Sequence, residues 1–282
     1  MILDFTIFAG VFIGFFLLIK VAFIDVGIKF FFNLPSLLIV LGGVIGASLI
    51  HFPITQCLKT FARLKVAFSL KSHDYIKDIN LLLDIATKAK KKDRKEVYKI
   101  IDKVDDHFLK NAIHLYLDRM PIYQLELMLR ENIEAISNRH EQGILFFEQM
   151  AKYAPSFGLL GTLIGLINLL ANMQSPDMIG PNMSLALVTT FYGVLFANLV
   201  FKPLAGRLRM LSFEEIIQKE MMLKGIISMA NGDSKSFIKE KMLIYLSEKD
   251  RISLIDKKDT NRTSRAKVLR VKDKRKSADD DF

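Results

Sequence analysis

Four long apolar runs constrain this chain more than any other feature. They cover about residues 5–24, 34–52, 153–173 and 183–201. Each run is about 20 residues long, which is the length that an α-helix needs to cross roughly 30 Å of hydrocarbon. Lys20 interrupts the first run, and the other three contain no Asp, Glu, Lys or Arg. Charged residues, 25% of the sequence, fall almost wholly between the runs. We therefore predict an all-α membrane protein with four transmembrane helices.

The distribution of basic residues predicts the orientation of these helices. Nearly all Lys and Arg lie in residues 55–151 and after residue 201. The positive-inside rule places both segments and both termini in the cytoplasm of a bacterium, with the chain in its inner membrane. The first four residues carry no positive side chain, so we expect the first run to be retained and not cleaved as a signal peptide. The net charge of +10 fits this orientation, and we predict no nucleic-acid partner.

The runs divide the chain into five parts. These are a transmembrane hairpin (1–54), a helical cytoplasmic domain (55–151), a second transmembrane hairpin (152–204), a helical cytoplasmic tail (205–250) and a basic disordered tail (251–282). A turn over 174–182 joins the third and fourth runs, and a break at 231–233 interrupts the helical tail.

Apolar periodicity predicts the helices of the cytoplasmic domain. One helix has an apolar face, which consists of Ile79, Leu82, Leu83, Ile85 and Ala86. A second covers about 122–133, and a third starts near Asn132 and continues directly into the third run. Small residues recur four positions apart in the runs, and this spacing favours close helix packing within the chain or between copies. They include Gly42, Gly46, Gly161, Gly165 and Gly193.

The acidic residues that an ion channel would need are missing from the runs. Hydroxyl groups are present, including those of Thr162, Thr189 and Thr190, and hydroxyl oxygens can help to coordinate a hard cation. The alternative is that these hydroxyls only bond their own helix backbone. If a carboxylate takes part, another chain must supply it. The sequence shows no metal-ligand cluster, phosphate loop or nucleophile–base pattern, so we predict neither an enzyme nor a cofactor.

Five segments resemble the MotA/PomA stator proteins of flagellar motors. They are PSLLIVLGG (35–43), APSFGLLGTLIGL (154–166), IGPNM (179–183), LVTTFYG (187–193) and VFKPLA (200–205). The order of spans and loop resembles that family too. The resemblance implies a homo-oligomeric, pentameric ring around two MotB/PomB-like single-span helices, which carry the ion-binding Asp. Ion flow through this channel would turn the ring against the rotor protein FliG.

The resemblance also implies roles for individual residues. Pro155 and Pro203 would couple ion passage to movement of the cytoplasmic head. The rotor contact would involve Lys90, Arg94 and Glu96, although the family's acidic position aligns with Tyr98 and its usual Asp before the second span aligns with Asn33. The threonines at 162 and 190 match positions where sodium-type members carry Thr, so we expect Na⁺ rather than H⁺ to be transported.

Two alternatives stay open. One is the related ExbB/TolQ group of energising proteins, which have three spans and a different partner. The other is a membrane scaffold or transporter without rotation, which would need no partner carboxylate.

Overall fold

A computed structural model describes residues 10, 12–14, 16, 20, 31–67, 75–90, 94–102, 104–246, 248 and 251. Most of the predicted first span and almost all of the predicted disordered tail lie outside the described residues. Within them the secondary structure is entirely helical. The α-helices are α1 (Leu34–His51), α2 (Ile54–Ala67), α3 (Tyr75–Lys90), α4 (Arg94–Ile101), α5 (His107–Leu117), α6 (Ile122–Ala171), α7 (Pro176–Leu195), α8 (Lys202–Ala230) and α9 (Lys235–Leu243).

Three stretches of the described chain are long and apolar enough to cross a membrane. They are Leu34–His51, Ile122–Ala171 and Pro176–Ala230. The predicted second, third and fourth runs lie in these stretches except for one or two residues at the ends of the second and third runs, which agrees with a multi-pass membrane protein. The predicted count of four spans is not tested, because the first run is largely outside the described residues.

Helix α1 begins where the sequence provides a cap. The side chain of Asn33 accepts a hydrogen bond from the backbone N–H of Ser36 at 3.0 Å, and Pro35 occupies the first turn. Asn is among the best N-cap residues, and proline is tolerated in a first turn because the N–H groups there have no helical partner. The helix ends at His51, one residue before the predicted end of the second run.

The bounds of helices α6 and α7 correct two predictions. The helix predicted over 122–133 and the one predicted from Asn132 are a single 50-residue helix, Ile122–Ala171. Residues 122–142 contain no Gly or Pro, so nothing in the sequence ends the helix between the two predicted segments. The predicted turn over 174–182 is also too long, since α7 begins at Pro176 and includes Pro181. Pro181 removes a single backbone hydrogen bond, which the helix accommodates.

A wide helical turn joins α7 to α8. Residues Phe196–Phe201 form a π-helix, and Pro203 follows directly in α8. The proline ring would clash with the carbonyl group four residues earlier in a regular helix, and a wider turn relieves that clash. The predicted break at 231–233 is confirmed: α8 ends at Ala230, and Gly232 has a φ of 78°.

The chain forms two compact units, 1–72 with 135–214 and 73–134 with 215–282. We call the first the membrane unit, because its residue ranges include all four apolar runs, and the second the head unit. A cluster that includes Val44, Phe146, Phe147 and Phe201 forms the core of the membrane unit. In the head unit, the predicted apolar face of α3 is confirmed, since all five of its residues are buried.

Candidate ion-coupling site

Helices α6 and α7 approach closely through small residues. A Cβ atom added to Gly158 would lie 3.3 Å from the Cα atom of Gly193, and one added to Gly165 would lie 2.7 Å from the Cβ atom of Ala186. These distances leave no room for a larger side chain, so the backbones nearly touch. Gly158 was missed in the sequence, although it precedes Gly161 by one helical turn on the same face.

The predicted packing glycines fall into two groups. Gly161, Gly165 and Gly193 lie in the α6–α7 contact, which we call the glycine seam together with Gly158. Gly42 and Gly46 of α1 are exposed, and a Cβ atom at either would meet no atom within 4 Å. The neighbouring Gly43 instead packs against the ring of Phe157. In the described part of the chain, α1 therefore contacts α6 through a glycine that the four-residue spacing did not select.

The three predicted ion-pathway threonines occupy different environments. Thr189 is fully buried, packs against Gly161, and donates its hydroxyl to the Leu185 carbonyl at 2.5 Å. Thr162 is half-buried and donates to the Leu159 carbonyl at 2.6 Å. Thr190 is exposed, and its hydroxyl makes no hydrogen bond to any described residue. Of the three hydroxyls, that of Thr190 is the most available to a ligand outside this chain.

A polar contact between α1 and α7 was not predicted. The buried Ser36 donates its hydroxyl to the Leu185 carbonyl at 3.2 Å. Tyr192 donates its hydroxyl to the carbonyl of Phe31 at 2.5 Å and accepts a bond from the backbone N–H of Asn33 at 3.4 Å. These bonds satisfy polar groups that water cannot reach in a hydrocarbon environment. Asn33, which the resemblance aligns with an Asp, serves in this chain as the N-cap of α1.

The two predicted coupling prolines lie inside continuous helical segments. Pro155 is exposed in the middle of α6 and does not begin a helix, so first-turn punctuation does not explain it. Its Cα atom would lie 3.3 Å from a Cβ atom added to Gly193, at one end of the glycine seam. Pro203 is also exposed and follows the π-helical turn. Each proline leaves one carbonyl without its usual helical donor, which makes that point of the helix easier to bend.

In the head unit, the predicted rotor-contact residues differ in whether their side chains form ion pairs within the chain. Lys90 is exposed at the end of α3, and only the backbone of Arg94 is described. Glu96 forms an ion pair with Lys88 at 2.9 Å. The hydrogen bond between them lowers the pKa of the Glu96 carboxyl and raises that of the Lys88 ammonium. Lys88 therefore offsets the negative charge of Glu96.

A second polar contact fixes the inside of the head unit. The ammonium group of Lys219, only 5% exposed, donates to the carboxylate of Asp106, which also caps α5 by accepting from Leu109 N–H at 2.9 Å. Burial favours a higher pKa for Asp106, but the bonds from Lys219 and Leu109 outweigh it and lower that pKa. No sequence signal pairs these residues, since they are 113 positions apart.

Known proteins similar to this chain share most of its length. A profile of the MotA/TolQ/ExbB proton channel family matches residues 100–221. The chain is 33% identical over 225 residues to the uncharacterized protein YtxD of Bacillus subtilis, covering 79% of this chain and 82% of YtxD. It is 31% identical over 238 residues to Motility protein A of Borreliella burgdorferi, covering 84% and 92% of the two chains. The chain belongs to the MotA/PomA family of flagellar stator proteins.

Structural similarity extends over the same length. A chain in the structure of the flagellar MotAB stator complex from Bacillus subtilis superposes with a TM-score of 0.81 at 30% identity. The match covers 89% of this MotA/PomA-family chain and 99% of the other. Chemotaxis protein PomA of Vibrio alginolyticus is 29% identical over 254 residues, which cover 90% of this chain and 100% of PomA.

Membership in this family bears on two predictions made from the sequence. The relatives are motility proteins of an ion-channel family, which confirms the prediction of a non-enzymatic protein. They also match nearly end to end, which favours a flagellar stator protein over the ExbB/TolQ group. Among the described residues, no group of three or more His, Cys, Asp or Glu side chains could hold a metal ion.

Proposed function

We propose that this chain is the ring-forming subunit of a flagellar stator, which converts ion flow into torque on the rotor. The near-complete structural match to a chain of the Bacillus subtilis MotAB stator complex carries this proposal. By analogy with that complex, the partner is a MotB-like protein. The family resemblance of the sequence further implies that this partner has a single span and that copies of this chain form a pentameric ring around it. The head unit would act on the rotor protein FliG.

The proposed topology has four spans with both termini and the large loop in the cytoplasm. The asymmetric distribution of Lys and Arg supports it. Alkaline phosphatase fused at Pro176, the first residue of α7, should be active, because it would face the periplasm. The same enzyme fused at Ser72 should be inactive, and activity there would refute the topology.

The ion pathway would combine a carboxylate of the partner with hydroxyls of this chain. The described spans offer no acidic side chain between Leu34 and His51 or between Tyr153 and Met173. A transported Na⁺ must replace most of its hydration shell with oxygen ligands, and one carboxylate supplies at most two. Thr190 can supply another, since its hydroxyl makes no bond to the described chain. Thr162 can still accept through its remaining lone pair while it donates to Leu159. We therefore favour Na⁺ over H⁺.

Swimming speed tests both the function and the ion. The chain is expressed with its partner in a host that lacks stators, and Na⁺ is varied at constant ionic strength and membrane potential. Speed should saturate with Na⁺, and Thr190→Ala should shift this saturation to higher Na⁺ more than Thr162→Ala does. Thr190→Ser, which keeps the hydroxyl, is the matched control. Speed that is indifferent to Na⁺ but abolished by a protonophore would identify a proton channel.

The prolines and the charged head would then transmit the movement. Pro155→Ala and Pro203→Ala should leave membrane insertion and partner binding intact and abolish torque, because they restore a stiffer helix at the two weak points. Normal swimming of both proline variants would show that these two residues serve only helix packing.

The charged residues of the head unit are tested separately. Reversing the charges of Lys90 and Arg94 together should cripple motility, whereas single neutralisations should do little, since electrostatic steering is shared among several charges.

A further inference from the structure

Helix α2 presents an exposed apolar side. The side chains of Ile54, Leu58 and Phe61 are 63%, 65% and 46% exposed. Their spacing of four and three residues puts them on one side of the helix. Cys57 and Thr60, on the adjacent side, are buried in the membrane unit. Three large apolar side chains that share one exposed side form a surface that another molecule covers in the assembled protein.

The end of α1 fixes where α2 begins relative to the bilayer. Helix α1 is one of the stretches long and apolar enough to span a membrane, and only Phe52 and Pro53 separate it from α2. The backbone of Phe52 is extended, with φ −120° and ψ 140°, as is usual for a residue before proline. Two extended residues reach at most about 7 Å, so α2 begins at the surface of the membrane.

Contacts with α6 show the direction that α2 takes. Phe52, just before α2, and Phe61, near its middle, both pack on the ring of Phe146, with ring centroids 5.3 and 5.5 Å apart. A helix that ran alongside α6 would move away from Phe146 by roughly 10 Å before it reached Phe61. Instead, Thr60 remains close to Gly143, one turn from Phe146, since a Cβ atom added to Gly143 would lie 4.0 Å from the Thr60 methyl group. Helix α2 therefore crosses α6, which contains a span, and runs along the membrane surface.

The charge of α2 favours an anionic surface. Its 14 residues include Lys59, Arg63 and Lys65 but no Asp or Glu. Lys59 follows Leu58, is exposed, and forms no ion pair with another described residue. Basic segments directly beside a span are attracted to the anionic headgroups of the cytoplasmic leaflet. A helix that combines such charges with an apolar side is typical of segments that lie in the membrane interface.

We propose that α2 is a binding site for anionic phospholipid. Its apolar side enters the boundary between headgroups and acyl chains of the cytoplasmic leaflet, and the ammonium group of Lys59 pairs with a headgroup phosphate. Because Phe61 also packs on Phe146, the bound lipid holds α6 where that helix leaves the membrane. Lipid fits this side better than a second copy of the chain, since α2 begins at the edge of the bilayer and carries three positive charges of its own. The choice of leaflet rests on the proposed topology, whereas the lipid contact does not depend on the stator function.

Tryptophan fluorescence tests the apolar contact. The chain contains no tryptophan, so Leu58→Trp introduces a single one, and the unmodified complex gives the background from the partner. The purified full chain with its partner is placed in phosphatidylcholine vesicles that contain phosphatidylglycerol with brominated acyl chains. Bromine quenches only a nearby indole, so the emission of Leu58→Trp should fall relative to vesicles without bromine. Tyr123→Trp, at an exposed position 30 residues before Tyr153, is the matched control and should be quenched by acrylamide but not by the lipid.

The same measurement identifies any other occupant. Emission of Leu58→Trp that is indifferent to bromine would overturn the proposal. If acrylamide also failed to quench that emission, a second protein chain would cover α2 instead. Leu58 is largely exposed, so its replacement should leave thermal unfolding in detergent unchanged.

Variants of Lys59 test the preference for anionic lipid. Brominated phosphatidylglycerol should quench Leu58→Trp more strongly than an equal amount of brominated phosphatidylcholine, and adding Lys59→Gln should reduce this preference about fivefold. Lys235→Gln, at an exposed position of the head unit, is the matched control and should keep it. A preference that persists when Lys59, Arg63 and Lys65 are all replaced by Gln would overturn the binding of anionic lipid. Because none of these measurements uses swimming, their failure leaves the stator function intact, and a wild type that does not restore swimming leaves the lipid site intact.

Discussion

Replacing Gly161 with alanine should weaken the contact between α6 and α7. The new Cβ atom would lie 2.6 Å from the Cβ atom of Thr189 and 2.9 Å from its hydroxyl oxygen. Both distances are shorter than carbon and oxygen atoms tolerate, so one helix must move. Overpacking of this kind costs about 1–3 kcal/mol, and the better helix propensity of alanine returns at most about 1 kcal/mol. With the full gain subtracted, the net loss of stability is up to about 2 kcal/mol.

A second substitution should restore the contact. Thr189→Gly removes the atoms that the new methyl group would meet, so the double variant exchanges the small and the larger residue across the glycine seam. The gain in helix propensity at Gly161, about 1 kcal/mol, exceeds the loss at Thr189, about 0.3 kcal/mol. The Leu185 carbonyl keeps its bond from Ser36 when the threonine hydroxyl is lost. The double variant should therefore be more stable than Gly161→Ala alone.

A double-mutant cycle measures this coupling. The chain has no tryptophan, so thermal unfolding of the purified full chain with its partner is followed by circular dichroism. Coupling of about 1 kcal/mol or more is expected between residues in direct contact. Additive effects of Gly161→Ala and Thr189→Gly would refute the close contact. A double variant that regains stability but does not swim would show that the Thr189 hydroxyl also serves the ion pathway.

The remaining predictions concern the head unit and the cap of α1. Lys219→Met should destabilise the head by about 3 kcal/mol, because it leaves the carboxylate of Asp106 partly buried without its cation. The pKa of Asp106 is lowered on folding, so this stabilisation is present above its ordinary pKa of 3.8 and is lost as the pH falls further. The difference between wild type and Lys219→Met in unfolding free energy should narrow below that pH, and a constant difference would contradict the ion pair. Asn33→Ala should cost about 1 kcal/mol in thermal unfolding, whereas Asn33→Asp should cost almost nothing, since either residue caps a helix.

Local patterns of the sequence determined where the helices lie and which of their residues are apolar. The second run became α1 almost residue for residue, and the apolar face of α3 is buried as its periodicity predicts. The break at Gly232 follows from a glycine that can adopt positive φ. These features depend on residues a few positions apart, so the sequence contains all the information they need. The family resemblance was likewise carried by short continuous segments.

Only the tertiary structure decided which residues of each helix meet another helix. Gly42 and Gly43 are neighbours in an apolar run, yet only Gly43 packs against Phe157. Thr189 and Thr190 are also neighbours, but the first is buried in the glycine seam and the second is exposed. Adjacent helical residues point about 100° apart, so the crossing geometry of two distant helices selects one of them. The pairing of Lys219 with Asp106 has the same origin, because it depends on how segments far apart in the chain fold together.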